Sequence, residues 1–140
     1  MGAPQHVVLI GCGFTGTSAF FQLVDRYPVR EITIFESSGR FGPGYPYRPD
    51  ECEDYLINNT TDTMRVVPSN PRAFADWLFT RPDLVPQLDE KGHLPRAYFG
   101  VFLEEVTHWE TAALCYAAPC PVPTAERLRC PASRWPPACI

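Results

Sequence analysis

The sequence lacks both a long apolar run and an excess of positive charge. None of its apolar runs approaches the ~20 residues that a membrane-spanning helix needs. There are 12 Lys and Arg residues against 16 Asp and Glu residues, so the 140-residue chain has a net charge of −4. Because nucleic acids and anionic membranes attract basic surfaces, this balance argues against both as partners. The residues before Val7 have neither the basic segment nor the apolar stretch of a secretory signal, which predicts a cytoplasmic location.

The six cysteines also lack a spacing that would give them a role. Cys12 and Cys52 stand far apart, and the remaining four are crowded toward the end of the chain, at Cys115, Cys120, Cys130 and Cys139. Their gaps do not match the paired C-x-x-C pattern of zinc sites. Without a secretory signal, a disulfide framework is not expected either. We therefore predict no metal site and no disulfides.

One βαβ pattern is present near the start of the chain. Val7–Ile10 is apolar and rich in β-branched residues, which is typical of a strand buried on both faces in a parallel sheet. Apolar residues at helical spacing follow from Phe20 to Tyr27, and Pro28 ends that helix. Glu31–Phe35 alternates as a second strand. The pattern predicts an α/β, Rossmann-like domain, which is incomplete because such a fold needs about four to six strands.

A glycine motif lies between the first strand and the helix. Gly11, Gly13 and Gly16 have the spacing G-x-G-x-x-G, and Glu36 follows Gly16 by 20 residues at the end of the second strand. Gly11 would permit a tight turn, Gly13 would let a pyrophosphate approach, and Gly16 would let the helix pack closely. The helix start would face the phosphates, and Glu36 would bind the adenosine ribose and repel a 2′-phosphate. This predicts FAD or NAD rather than NADP, the alternative being a βαβ unit that binds nothing.

The middle of the chain combines a long loop with two predicted helices. Ser38–Glu53 is dense in Gly, Pro and Tyr, and a loop of this length inside a domain is usually functional or disordered; its aromatic residues and prolines indicate order. Asn70 and Pro71 predict the start of one amphipathic helix, and Pro95 predicts another. We expect their aromatic residues to pack in the core.

Residues 107–140 differ from residues 1–106. Within the last part, Cys115–Cys139 is rich in Pro, Cys, Arg and Ala and has no lasting periodicity, so it predicts neither helix nor strand. Such a composition is typical of a GC-rich gene read out of frame. We interpret residues 1–106 as the N-terminal part of the nucleotide-binding domain, and residues 107–140 as an atypical tail that is frameshifted or disordered. Resequencing that finds an intact frame would refute the frameshift.

Four blocks of the sequence stand in a characteristic order. They read V-V-L-I-G-C-G-F-T-G-T-S-A from Val7, I-F-E-S-S-G-R-F-G-P-G-Y-P-Y from Ile34, Y-L-I-N-N-T-T-D-T-M from Tyr55 with N-P-R-A-F-A-D-W-L from Asn70, and L-P-R-A-Y-F-G-V-F-L from Leu94. Together they resemble the N-terminal region of the bacterial FAD/NAD(P)-binding family of flavin-dependent oxidoreductase-like proteins. The resemblance covers about three quarters of this chain but only the opening part of a typical member.

The resemblance implies that the chain binds the ADP moiety of FAD, with NAD as the alternative cofactor. The implied site residues are Gly11, Gly13, Phe14, Thr15, Gly16, Glu36, Ser37, Gly42, Gly44 and Asn58. It also implies that the loop from Gly42 to Tyr47 closes over the cofactor, with Asn58 and Met64 near the flavin. The alternative is that Gly42 and Gly44 serve turns and Tyr47 serves the core.

The implied parent protein is an FAD-dependent oxidoreductase, with NAD(P)H as a possible reductant. This chain would be a truncated part of it that lacks the catalytic portion, and we assign no catalytic residue. Two other functions stay open, an NAD-binding module without flavin and a non-catalytic remnant. Cys12 lies at a helix start, where a thiol can be reactive, but we interpret it as a small side chain packed under the turn.

Overall fold

The computed structural model describes residues 6–50, 54–114 and 125–129, with the backbone alone given for residues 109–114 and 125–129. The elements in chain order are β1 (His6–Ile10), α1 (Phe14–Arg26), β2 (Glu31–Phe35), α2 (Ala73–Phe79), a 3₁₀ helix (Pro82–Gln87), α3 (Arg96–Leu114) and β3 (Ala125–Arg129). The predictions for Cys52 and for the four cysteines after Leu114 fall outside the described residues.

The first three elements form the predicted βαβ unit. β1 and β2 pair in parallel, with His6 opposite Glu31 and Ile10 opposite Phe35, and α1 connects them. The N–H of Gly11 donates to the carbonyl of Phe35 over 2.7 Å and extends the ladder by one residue. Alternation in Glu31–Phe35 and helical spacing before Pro28 were sufficient to predict these elements.

The prediction that β1 is buried on both faces is wrong. Val8 is 49% exposed and Ile10 is 89% exposed, whereas Val7 and Leu9 pack against the core. Successive side chains of a strand point to opposite faces, and within the described residues β1 is one of the two edge strands of the sheet. Only the face that carries Val7 and Leu9 is covered, so the other face of β1 is exposed to solvent although its residues are apolar.

The expectation of neither helix nor strand after Cys115 is wrong for residues 125–129, which form a strand. α3 continues across the predicted boundary at residue 106 and ends at Leu114. β3 pairs antiparallel with β2, with Ala125 opposite Phe35 and Arg129 opposite Glu31. The sheet is therefore mixed, with the order β1-β2-β3. The division at residue 106 and the frameshift stay predictions.

The core lies between the βαβ unit and the two later helices. Phe74 of α2 packs against Phe99 and Phe102 of α3, with ring centroids 4.9 and 5.1 Å apart. Such aromatic pairs contribute about 0.5–1.5 kcal/mol beyond their buried area. This confirms the predicted core role of these rings. The other large, fully buried side chains are Phe20, Phe21, Ile32, Ile34, Leu94 and Leu103.

Candidate functional site

The turn from β1 to α1 leaves the start of the helix without a side-chain cap. Gly11 has φ +85°, a left-handed conformation that glycine adopts without strain, and Gly13 occupies the N-cap position. The first helical hydrogen bond runs from the N–H of Thr17 to the carbonyl of Gly13, and the first turn of α1 holds no acidic side chain. The N–H groups of Phe14, Thr15 and Gly16 therefore have no acceptor within the helix. This is the positive end of the helix dipole, where an anion is stabilised.

Glu36 points toward this turn. One carboxylate oxygen, Oε2, accepts a hydrogen bond from the N–H of Cys12 over 2.6 Å. The other oxygen, Oε1, accepts from both the N–H and the hydroxyl of Ser38, each over 2.8 Å. The carboxylate is thus fixed beside the glycine motif, as its place at the end of β2 predicted.

Hydrogen bonds keep Glu36 charged. Partial burial raises the pKa of its carboxyl, but the N–H groups of Ser38 and Cys12 and the hydroxyl of Ser38 outweigh that effect. The net result is a pKa below the ordinary value of 4.5. A formal negative charge is therefore present at the turn at neutral pH.

Two of the three glycines in the motif act as the sequence predicted, and one has a different neighbour. A Cβ at Gly16 would stand 2.1 Å from the carbonyl oxygen of Gly11, so the close packing of α1 on the turn requires glycine. A Cβ at Gly13 would stand 3.0 Å from the Cα of Gly44. The bare side of Gly13 thus admits the protein's own loop, whereas the prediction gave that space to a pyrophosphate.

The loop from Gly42 to Tyr47 is anchored to the turn and to α3. The N–H of Gly42 donates to the carbonyl of Cys12 over 2.7 Å, and a Cβ at Gly42 would stand 2.6 Å from the backbone of Leu103. The Tyr47 ring packs against Phe14, with centroids 5.5 Å apart, and also against Phe99. Gly42 and Gly44 adopt left-handed backbone conformations, with φ +120° and +56°. Turn and core roles therefore account for these residues, and any contact with a cofactor would come in addition.

A cavity of about 580 Å³ opens between the turn and the loop, a size typical of small-molecule sites. Of the predicted site residues, Gly11, Gly13, Phe14, Thr15, Gly16 and Gly44 line it. Tyr45, Pro46 and Tyr47, from the loop that was expected to close over the cofactor, line it as well, and so do Leu9, Ile10 and Ala19, which had not been assigned to the site. The Gly, Pro and Tyr composition of the loop was the signal for Tyr45, Pro46 and Tyr47.

Comparison with known proteins identifies the family of this chain. The model of a family described as FAD-NAD(P)-binding matches residues 8–122, a range that includes the glycine turn, Glu36 and the loop. The chain belongs to the FAD-NAD(P)-binding family. The match continues past residue 106, where the sequence analysis placed the end of the domain.

A relative of this FAD-NAD(P)-binding chain is the uncharacterized protein YdhS of Escherichia coli (strain K12), which is 24% identical over 109 residues. The match covers 72% of this chain and 20% of YdhS, so the chain spans about one fifth of the length of that relative. No solved structure gives a significant match.

The remaining predicted site residues lie outside the cavity of this FAD-NAD(P)-binding chain. Glu36 does not line the cavity and lies beside the turn through its bond to Cys12. Asn58 and Ser37 are exposed and Gly42 is buried, and these three do not line the cavity either. Met64 packs against the core. Cys12 is fully buried, with its Sγ 3.5 Å from the hydroxyl of Thr17, which agrees with a small packed side chain. A cofactor contact at Asn58 or Ser37 stays a prediction.

Among the residues that the structure describes, none of the helices combines the length and the apolar character that a membrane span requires. In the same residues, no group of three or more His, Cys, Asp or Glu side chains is placed to hold a metal ion.

Proposed function

We propose that this chain binds the ADP half of a dinucleotide at the start of α1, with FAD as the first candidate. The observation that carries the proposal is the hydrogen bond from the N–H of Cys12 to Glu36, because it places a carboxylate beside an uncapped helix start. These are the two groups that a dinucleotide needs, one for the ribose and one for the phosphates.

The diphosphate would lie against the N–H groups of Phe14, Thr15 and Gly16. The α1 helix has 13 residues and no acidic side chain in its first turn, so no carboxylate there competes with an incoming phosphate. The cavity reaches these residues, whereas the bare side of Gly13 is filled by Gly44. We therefore expect the phosphates to approach along the helix axis and not across Gly13.

The ribose hydroxyls would donate hydrogen bonds to Glu36. Each oxygen of an ionised carboxylate accepts more than one hydrogen bond, so the bonds from Cys12 and Ser38 leave acceptor capacity. A 2′-phosphate would place negative charge against this carboxylate. We therefore infer that FAD and NAD bind better than NADP.

The resemblance to flavin-dependent oxidoreductases favours FAD over NAD, and the apolar and aromatic wall of the cavity supports a flavin beyond the diphosphate. Bound FAD would supply hydride chemistry in the whole protein. The catalytic and substrate-binding residues would belong to segments outside this chain. NAD binding without flavin is the second candidate, because the FAD-NAD(P)-binding family includes both cofactors.

Calorimetric titration of the purified chain with FAD, NAD, NADP and ADP tests the proposal, together with absorbance in the flavin bands. We expect FAD to bind best and NADP worst. Glu36→Gln should weaken ADP and FAD by at least about tenfold, since hydrogen bonds to a charged group contribute about 1.5–3 kcal/mol. The matched control is Glu90→Gln, because Glu90 is exposed and does not line the cavity.

The possible results separate the three functions. Binding of NAD but not FAD would support the NAD-binding module. Failure of every ligand to bind would support the non-catalytic remnant and refute the proposal. Equal affinity of Glu36→Gln and Glu90→Gln would show that Glu36 does not hold the ribose.

A further inference from the structure

Tyr45 is an exposed aromatic residue that lines the cavity. Tyr45 is 74% exposed, although its neighbours Gly44 and Pro46 line the same cavity. Ile10, also in the lining, is 89% exposed. Within the described residues these two apolar groups are among the most exposed, and both face the space beside the glycine turn.

The backbone that carries Tyr45 is fixed on both sides. On one side, Gly44 packs so closely on the turn that a Cβ there would stand 2.8 Å from the Cα of Gly13. On the other side, the Tyr47 ring contacts Phe14 and Phe99, with centroids 5.5 and 5.0 Å away. Pro43 and Pro46, which stand on either side of Gly44 and Tyr45, each have a fixed φ and restrict the backbone further. An exposed ring on a fixed backbone loses little freedom when it binds a ligand.

A cation lies over one face of the ring. The guanidinium carbon of Arg48 is 5.6 Å from the Tyr45 centroid, and Asp50 holds that guanidinium through bonds of 3.2 and 2.6 Å. The cation–π contact steadies the ring. The high exposure of Tyr45 leaves its other face available to a second planar group.

Two contacts of the glycine turn, one with Glu36 and one with the loop, define where the two halves of a dinucleotide would lie. Glu36 reaches the turn through Cys12, and the loop reaches it through Gly13 and Gly44. A dinucleotide with its ribose at Glu36 and its diphosphate at the start of α1 would extend its second half toward the loop. The segment Gly44–Tyr47 lines the cavity there.

We propose that Tyr45 stacks on the planar heteroaromatic ring at the far end of the dinucleotide. This inference rests on the proposed function, because the diphosphate at α1 sets the direction of the ligand. The shared chemistry is a flat, electron-poor ring, and the isoalloxazine of FAD and the nicotinamide of NAD are its two sources. Tyr45 would then be a binding residue for the half of the ligand that Glu36 does not contact.

The test compares ligands that share the ADP half. The full chain and the variants Tyr45→Ala, Tyr45→Phe and Tyr27→Ala are titrated with ADP, FAD and NAD. Tyr27→Ala is the matched control, because Tyr27 is 56% exposed and does not line the cavity. We expect Tyr45→Ala to weaken FAD by about tenfold, as alanine substitution of a stacked aromatic ring does, and to change ADP less than about twofold. Tyr45→Phe and Tyr27→Ala should bind like the unaltered chain.

Flavin fluorescence provides a second readout. A tyrosine stacked on the isoalloxazine quenches its emission, so FAD bound to Tyr45→Ala should be brighter than FAD bound to the unaltered chain. A tenfold loss with NAD and none with FAD would assign the stacking to nicotinamide within the same proposal.

Three results would overturn the inference. Equal weakening of ADP and FAD by Tyr45→Ala would show that Tyr45 only shapes the turn. Unchanged affinity for all ligands would show that the ring does not touch them. An unaltered chain that binds ADP but gains nothing from the flavin or nicotinamide half would refute the stacking and leave the proposed function intact, whereas failure to bind ADP would refute both.

Discussion

Replacing Gly44 by alanine should separate the glycine turn from the loop that packs on it. Two costs act at this position. The backbone has φ +56°, which costs a residue with a Cβ about 1–2 kcal/mol. The new Cβ would also stand 2.8 Å from the Cα of Gly13, a backbone atom that cannot rotate away. Forcing an extra carbon into a packed place costs about 1–3 kcal/mol, so we expect a total loss of about 2–5 kcal/mol of unfolding free energy.

Gly39→Ala is the matched control. Gly39 has φ +71°, but a Cβ there would meet nothing within 4 Å, so only the conformational cost of about 1–2 kcal/mol applies. Urea unfolding of both variants, followed by circular dichroism, measures the difference. If Gly44→Ala is no less stable than Gly39→Ala, the loop does not pack on the turn as described. If it does pack, Gly44→Ala should also weaken FAD, because the cavity wall would move.

Two further predictions concern charge. FAD affinity should stay constant from pH 7 to pH 5 and decline only below pH 4.5. The reason is that the hydrogen bonds from Ser38 and Cys12 outweigh the effect of burial and hold the pKa of Glu36 below its ordinary value of 4.5. Titrations that show a loss of affinity between pH 7 and 5.5 would contradict this. Glu105→Gln should lower the free energy of unfolding by about 0.5–1 kcal/mol, since Glu105 accepts hydrogen bonds from Trp77 and Arg81 in a partly exposed ion pair. Glu90→Gln is again the control in urea unfolding, and equal stability of the two variants would assign no net contribution to the ion pair.

The parts of the site that local spacing determines could be predicted from the sequence. The motif Gly11-x-Gly13-x-x-Gly16, placed between a strand and a helix, was enough to predict the turn. Glu36 could be placed beside it because parallel strands end at the same edge of a sheet. These relations depend on residues fewer than 30 positions apart.

The parts that depend on distant contacts could not be predicted. The neighbour of Gly13 is Gly44, and no pattern in either segment encodes their contact. The exposure of Ile10 depends on what covers that face of the sheet, since an apolar strand looks the same in either case. Three of the five residues of β3 are charged and the strand has no apolar alternation, so the sequence gave no strand signal there.

The exact first residue of a helix was also difficult to predict from the sequence. The helix predicted from Asn70 and Pro71 begins at Ala73, because the side chain of Asn70 accepts from the N–H of Arg72 and closes a turn first. In contrast, α3 begins at Arg96, directly after Pro95 as predicted. A capping residue can stabilise either a helix or a preceding turn, and the sequence does not distinguish them.

The most direct test of the central claim is an NMR titration of the ¹⁵N-labelled chain with ADP. The claim is that the start of α1 holds the diphosphate while Glu36 holds the ribose. It predicts the largest amide shifts at Phe14, Thr15 and Gly16, with a further shift at Cys12, whose N–H is bound to Glu36. Shifts confined to other segments, or none at saturating ADP, would contradict it.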